Sequence, residues 1–417
     1  METNQKPALN RTWIALLLYT VFSGVLRKWF ITGAAAKSAI FAGNLLLPLA
    51  LLYFSGRDYT GKKTLWVTGI AYLSILTGLA FHPLQVSIYH GFSGILIHAL
   101  FWTILFVYLN HPQFPIEGRY AFIFIGLCLI ETALGSIQYF SPPGSLINRY
   151  AEGEGVGVVA MAGASVRVTG TFSYLGGFSS FSSFAAFITC YYIKRKPGSP
   201  LILPLLVTGI YNCLISGSRA ALLFYLLTIT VFLVTEITFT FYRRHIVRLV
   251  TSSVILALVN SALLDPFHIQ YAVAAGFDSF NTRTLANQDE GINRIISGPL
   301  EPFTKKFSFK LAGIGLGATY QGANAAFGRS PLLAGIGYEN ELFRLVAEGG
   351  IVLLLLRFLL LAYVLSFFRF SFFFKLYLFL VIGIYSSFVF NIYGGIFIAS
   401  GLCLVNQAYP YPRRYEV

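Results

Sequence analysis

The chain has 417 residues and a formal net charge of +14, from 30 Lys and Arg against 16 Asp and Glu. Hydrophobic residues make up 56% and charged residues only 11%, where a soluble domain carries about 25% charged residues. Such a chain has too little polar surface to cover itself. That excludes a soluble enzyme, a disordered chain and a secreted disulfide scaffold, and leaves an all-α polytopic membrane protein with lipid as its solvent.

A span needs roughly 20 apolar residues. Segments of that kind lie near 13–30, 37–54, 64–81, 92–109, 119–138, 171–193, 197–216, 220–241, 247–264, 345–365, 371–390 and 392–407, about twelve in all. Lys6 and Arg11 precede the first, and Arg27-Lys28 separates it from Ala34-Ala35-Ala36, so it reads as an uncleaved helix rather than a signal peptide. Glu131 is the clearest charge inside a span. It reads either as a carboxylate hydrogen-bonded within the bundle or as a transport site. The run 201–234 is interrupted only by Ser216-Gly217-Ser218-Arg219. Read as one helix, it would put Lys194-Arg195-Lys196 and Arg243-Arg244 on opposite sides. Two short helices joined at 216–219 keep both clusters inside with Arg57, Lys62, Lys63, Arg369, Lys375, Arg413 and Arg414, and place both termini in the cytoplasm. Arg219 then stands at the outer face, on the tip of a tight hairpin. The last two segments run together. A single helix there would be about 55 Å long, far beyond a bilayer, so a break is expected at Asn391-Ile392-Tyr393-Gly394-Gly395.

On this topology, residues 1–417 form a single integral membrane domain with two long outer loops, 139–170 and 265–344. Long polar loops between compact spans are usually functional. The second is expected to form a periplasmic subdomain of short amphipathic helices. Arg27, Lys28, Lys37, Arg149, Arg167, Arg283, Arg294, Lys305, Lys306, Lys310, Arg329 and Arg344 are cations on this outer side that topology does not explain, with Asp289, Glu290 and Glu301 among them.

Several chemistries lack their residues. No G-x-x-x-x-G-K-[ST], H-E-x-x-H or G-x-S-x-G run occurs. The six histidines do not pair at metal-ligand spacing, so neither a metal site nor any cofactor is expected. Cys128, Cys190, Cys213 and Cys403 sit in apolar runs without a C-x-x-C pair and read as small core residues.

Three outer stretches carry the chemistry that remains. They are Arg167-Val-Thr-Gly-Thr-Phe-Ser-Tyr-Leu-Gly-Gly177, Ile215-Ser-Gly-Ser-Arg219-Ala-Ala, and Gly313-Ile-Gly-Leu-Gly317 followed by Tyr338-Glu339-Asn340-Glu341-Leu-Phe-Arg344-Leu-Val-Ala-Glu348-Gly-Gly350. In this order they resemble the O-antigen ligase and Wzy-type O-antigen polymerase superfamily of bacterial membrane glycosyltransferases, over roughly 167–350. The likeness is strongest at 216–222 and at the Gly-x-Gly-x-Gly run; Leu26-Arg27-Lys28-Trp29 also looks like a motif of polymerase-like members.

The resemblance implies a GT-C-like fold and a metal-independent inverting glycosyltransferase at the outer face of the bacterial inner membrane. Its partners would be a polyisoprenyl-diphosphate-linked glycan, membrane lipid and a chain-length regulator protein, with no nucleic acid. It implies a catalytic, diphosphate-binding role for Arg219. Arginine suits phosphate because its planar fork binds two oxygens and stays charged. The plain alternative is that Arg219 only snorkels or ends a span. Arg294, Arg283 and Arg167 are further candidates for the diphosphate clamp, or are solvated loop charges.

Ligases of the superfamily carry His-Asn at the loop-to-helix junction, whereas this chain reads Glu339-Asn340. That difference favours a polymerase of lipid-linked repeat units for O-antigen, capsule or exopolysaccharide. The alternatives are an O-antigen ligase acting on lipid A core or protein, and, in another class, a polysaccharide flippase or other secondary transporter. Glu339 is the candidate to position or deprotonate the acceptor, or else is an acid at a helix start. Glu341, Arg344 and Glu348 share a helix face and read as an intrahelical ion-pair ladder. Tyr320 and Tyr338 are candidates to stack on sugar rings.

Overall fold

The structure, a computed structural model, describes residues 6–55, 63–111, 118–151, 161–162, 165–237, 274, 277–278, 281 and 297–409. The expected span 247–264, the clusters Arg57/Lys62, Arg243/Arg244 and Arg413/Arg414, and Arg283, Arg294, Asp289 and Glu290 lie outside the described residues.

Helices dominate: α1 (Lys6–Val25), extended by a π-helical turn Leu26–Phe30, then α2 (Ala34–Ser55), α3 (Lys63–Ala80), α4 (Ile88–Asn110), α5 (Gly118–Phe140), α6 (Leu175–Arg195), α7 (Ile202–Ile215), α8 (Arg219–Glu236), α9 (Glu341–Ser366), α10 (Phe372–Leu380) with a π-helical turn Val381–Tyr385, and α11 (Ile392–Gln407). Two two-residue strands, Met161–Ala162 and Ser165–Val166, pair antiparallel in the 139–170 loop. Between 297 and 340 lie only short helices, Glu301–Thr304 and Gln321–Phe327, and two 3₁₀ turns. Among the described residues, seven helices are long and apolar enough to cross a membrane: α1 to α5, α8 and α9. Exposed apolar side chains such as Leu359 on α9 and Val234 on α8 would be costly in water but match a lipid solvent. Both features mark the chain as a membrane protein.

The helix starts follow ordinary capping chemistry. Ser87, Ser218, Asn340, Ser371 and Asn391 each accept a backbone N–H of the first turn of α4, α8, α9, α10 and α11. Ser218 divides 201–234 into α7 and α8, as the hairpin reading expects. Gly217 takes a left-handed φ of 62°, which glycine adopts without penalty and which turns the chain between the two helices. The break between α10 and α11 comes earlier than expected. The non-helical stretch is 386–391, and Gly394 and Gly395 lie within α11. The Asn391 side chain, bonded to Gly394 N at 3.2 Å, starts a helix there rather than ending one.

α11 packs on α6 and α4, α6 on α7 and α8, and α2 on α1 and α4. The centre is aromatic: Phe172, Phe181, Phe184 and Phe397 interlock, with Phe184 and Phe397 stacked at 5.4 Å. One end of the bundle gathers Lys194, Glu236, Arg369, Ser371 and Tyr409. Glu236 accepts from Ser371 N (2.7 Å) and from the Tyr409 hydroxyl (2.5 Å), and its carbonyl accepts from Lys194 Nζ (2.7 Å). Burial and the Glu236 carboxylate push the Tyr409 phenol well above its ordinary range. An apolar cavity lined by Trp13, Leu51, Tyr108 and Cys403 also lies toward this end.

α9 is broken where its character changes. Gly350 has φ 68°, so the regular i to i−4 ladder is interrupted. The freed carbonyls of Ala347 and Glu348 accept from Ile314 N (2.9 Å) and Gly315 N (3.0 Å), and the freed Ile351 N donates to Lys310 O (2.8 Å). The glycine-rich segment is thereby pinned along the helix by groups that an unbroken helix would consume. A Cβ at 350 would also strike the Leu311 carbonyl. Gly350→Ala is therefore expected to lower the melting temperature in detergent markedly, the positive φ with an extended ψ of −171° alone costing about 1–3 kcal/mol. Gly78→Ala, in the helix α3 with open space around it, is expected to leave melting unchanged or raise it, as a control in the same thermal assay.

Candidate functional site

At the end of the bundle opposite Glu236, the sequence motifs meet. Arg27 and Lys28, in the turn after α1, are buried. Arg27 Nη1 donates to Ser173 Oγ (2.7 Å), and its guanidinium lies 4.6 Å from the Phe41 ring. Lys28 Nζ donates to Thr169 Oγ1 (3.0 Å) and the Gly170 carbonyl (2.5 Å). From the other side, Gln138 Oε1 accepts from Thr169 N (3.0 Å) and Gly170 N (2.8 Å). Glu131 accepts from the backbone N–H of Thr171 (3.1 Å) and from its hydroxyl. Leu26–Phe30 and the 167–177 segment are therefore one unit, and Glu131 has the hydrogen-bonded place within the bundle that was one of its two readings.

The same unit reaches the hairpin. Arg167 Nε donates to the Ser216 carbonyl (3.3 Å), three residues before Arg219. Arg219 is the first residue of α8, with Ser218 Oγ accepting from Ala221 N (3.4 Å). It is half-buried, and makes no hydrogen bond or ion pair among the described residues. Its setting combines a cation with the N-terminal backbone N–H groups of a helix, a combination that favours an anion.

The third motif behaves differently from the expected ladder. Glu341, Arg344 and Glu348 do share a face of α9, but each turns to a partner on another segment. Glu348 accepts from Gly317 N (2.8 Å), Thr319 N (2.9 Å), Thr319 Oγ1 (2.6 Å) and His98 Nε2 (2.9 Å). Arg344 donates to Thr319 O (2.7 Å) and Oγ1 (3.2 Å) and lies 3.9 Å from the Phe390 ring. Glu341 pairs with Arg357 and accepts from Ser387 Oγ (2.5 Å) and from the backbone N–H groups of Phe388, Val389 and Phe390. The ladder reading is thus corrected. Burial strips water from these carboxylates, and one neighbouring cation on the helix would not replace it, whereas converging N–H donors do. The Gly-x-Gly-x-Gly run is likewise filled from within: Gly317 N donates to the Glu348 carboxylate, Gly315 N to the Glu348 main-chain carbonyl and Gly313 N to Phe309 O.

Arg357 completes this arrangement, donating to the carbonyls of Gly383 (3.1 Å), Ile382 (3.1 Å) and Ser386 (3.0 Å), the last turn of the α10 extension and the residue after it. Sequence reading passes over Arg357, although an arginine inside the run 351–366 is a visible signal. It also passes over His98, Gln138 and Thr319, for which no short-range pattern exists. Asn391 and Tyr393 join the two centres. Asn391 Nδ2 donates to Ser180 Oγ (2.9 Å), and the Tyr393 hydroxyl to Ser173 Oγ (3.3 Å).

Of the predicted site residues, Arg167 and the 216–219 hairpin are brought together. Glu339 is exposed, two residues ahead of α9 and beside its cap Asn340. Tyr338 is half-buried, its hydroxyl accepting from Asn324 Nδ2 (3.4 Å), and Tyr320 packs against the core. Comparisons with protein-family profiles, with curated protein sequences and with solved structures return no match to this chain.

Breaking the buried Glu341–Arg357 pair from one side leaves an uncompensated charge, which costs about 3–5 kcal/mol. Arg357→Met is expected to abolish most of the monodisperse protein recovered on size exclusion after mild heating. Adding Glu341→Gln to Arg357→Met should restore part of it, giving a non-additive cycle.

Proposed function

We propose that the chain is a polymerase of polyisoprenyl-diphosphate-linked oligosaccharide repeat units at the outer face of the bacterial inner membrane. It is read as a GT-C-like bundle of about twelve spans with both termini cytoplasmic. The 139–170 and 265–344 loops then lie outside. The observation that carries this reading is Arg219. In the same motifs Arg27 and Arg344, and beyond them Arg357, are engaged by protein oxygens and aromatic faces. Arg219 stands at a helix N-terminus without such a partner among the described residues. A cation left in this state suits a ligand anion, and a lipid diphosphate carries its charge at the membrane boundary.

In the proposed reaction, the acceptor hydroxyl oxygen attacks the anomeric carbon of the growing chain. The bond from that carbon to the diphosphate oxygen breaks, and the lipid diphosphate leaves with the electron pair. Attack opposite the leaving group inverts the anomeric centre. Arg219, supported by the N–H groups of α8, stabilises the departing charge, a role that fixed donors fill without reorganisation. Arg167 holds the hairpin that presents Arg219, and the loop arginines Arg283 and Arg294 are the remaining clamp candidates. Glu339 takes the proton from the acceptor hydroxyl or positions it.

Deletion in the native host, read on a glycan gel, tests this reading. A polymerase deletion leaves single-unit caps without a ladder, a ligase deletion leaves bare acceptor with lipid-linked polymer, and a flippase deletion traps units on the cytoplasmic side. A ladder of normal length would end the polymerase assignment. Arg219→Lys is expected to insert normally but to lose the ladder, because an ammonium cannot reproduce the two-pronged contact. Near-normal ladder formation by this variant would remove Arg219 from the diphosphate site.

A further inference from the structure

The segment 300–311 presents three large apolar side chains outward: Leu300 (51% exposed), Phe303 (58%) and Leu311 (74%). It is not a free loop. Lys310 Nζ donates to Phe303 O (2.7 Å) and closes the segment on itself, while Lys310 O accepts from Ile351 N (2.8 Å) and fixes it to α9. That attachment lies where α9 changes from the polar-faced stretch 341–348 to the apolar run 351–366, interrupted only by Arg357. Farther along, Leu316 N meets Leu79 O (3.4 Å), one residue before α3 ends at Ala80. The segment is therefore fixed beside the break in α9, where the apolar run 351–366 begins, and the stretch that follows it meets the end of α3, a helix long and apolar enough to cross a membrane.

Other exposed aromatics lie near this end of α3. Phe81 follows α3, and Tyr89 and Phe92 lie in the first turns of α4. Tyr89 stacks on Phe327 at 4.8 Å. Aromatic rings of this kind collect at the membrane–water boundary. The charge fits as well. Between 297 and 311, Glu301 is matched by Lys305 (3.1 Å), leaving Lys306 and Lys310 as the net excess. Lys306 is exposed.

We propose that 300–311 is an interfacial anchor seated in the lipid headgroup layer, with Leu300, Phe303 and Leu311 in the acyl boundary and Lys306 facing the phosphates of anionic phospholipid. Apolar burial and attraction to anionic lipid act together in such anchors. The anchor sets the height of the pinned glycine-rich segment, and with it the approach to α9, relative to the membrane surface. It does not depend on the glycosyl-transfer reading.

Spin labels on Phe303→Cys and Leu311→Cys, in the full chain reconstituted in phosphatidylglycerol or phosphatidylcholine vesicles, test the proposal. The four native cysteines are buried, which leaves the introduced thiol as the accessible one among the described residues. Labels at Leu359→Cys and at Ala334→Cys, an exposed position in the turn before α9, supply lipid and aqueous references. In phosphatidylglycerol, labels at 303 and 311 are expected to collide with oxygen several-fold more, and with a water-soluble nickel chelate several-fold less, than the label at 334. Lys306→Glu, which leaves the Lys310 contact with Phe303 intact, is expected to move both labels toward the aqueous reference. Nickel accessibility equal to that at 334 at both positions would overturn the anchor. So would shielding from both reagents, which would mean that protein, such as a second copy, covers the surface.

Discussion

A carboxylate withdrawn from water must be met by donors from the protein, and α9 carries two of them on one face. Glu341 and Glu348 are seven residues apart, and each is met by backbone N–H groups of a separate segment together with one basic side chain. Much of the surrounding architecture follows from this. The stretch 388–390 is unwound because its N–H groups point at Glu341 rather than up a helix. The 313–319 segment curls so that the N–H groups of Gly317 and Thr319 point at the Glu348 carboxylate. The helix itself is broken at Gly350, so that its unpaired carbonyls hold the same segment. An unbroken α9 would offer no such attachment, and two apolar residues at 341 and 348 would leave five backbone donors without these acceptors.

Hydropathy and charge placement made the helices legible. The α7–α8 hairpin was readable from one tetrapeptide, because Ser218 can cap and Gly217 can turn. The grouping of 341, 344 and 348 on one face was also readable, since helical spacing dictates it. Their partners were not. Spacing along a helix says which side chains are neighbours but not whether burial makes those neighbours insufficient. His98, Thr319 and the 388–390 backbone lie far away in sequence. Arg357 is the exception: a lone guanidinium in an apolar run already asks for a buried partner. At the site, the contact between Leu26–Phe30 and 167–177 was likewise invisible, because it rests on Lys28 and Gln138 gripping main-chain groups whose positions only the fold determines.

The arginines separate into two kinds, and the separation is physical rather than positional. Arg27, Arg344 and Arg357 share carbonyl, hydroxyl or carboxylate oxygens and aromatic faces, so their charge is already used in holding segments together. Each would have to give up those bonds to bind a ligand. Arg219 has nothing comparable to give up among the described residues, and the helix behind it adds N–H groups of the same sign. The net charge of +14 is therefore a poor guide to anion affinity in this chain. Several of the cations that topology leaves unexplained are internal fasteners.

This partition also bears on how substitutions at the site read out. Arg167 donates to the carbonyl of Ser216, at the base of the turn that presents Arg219. A change there acts on the position of another side chain, whereas a change at Arg219 leaves the hairpin cap of Ser218 intact. Loss of the proposed glycan transfer with an unaltered fold is consequently a signature that Arg219 can give and that Arg27, Arg344 and Arg357 cannot, because in those three the charge and the architecture are the same interaction.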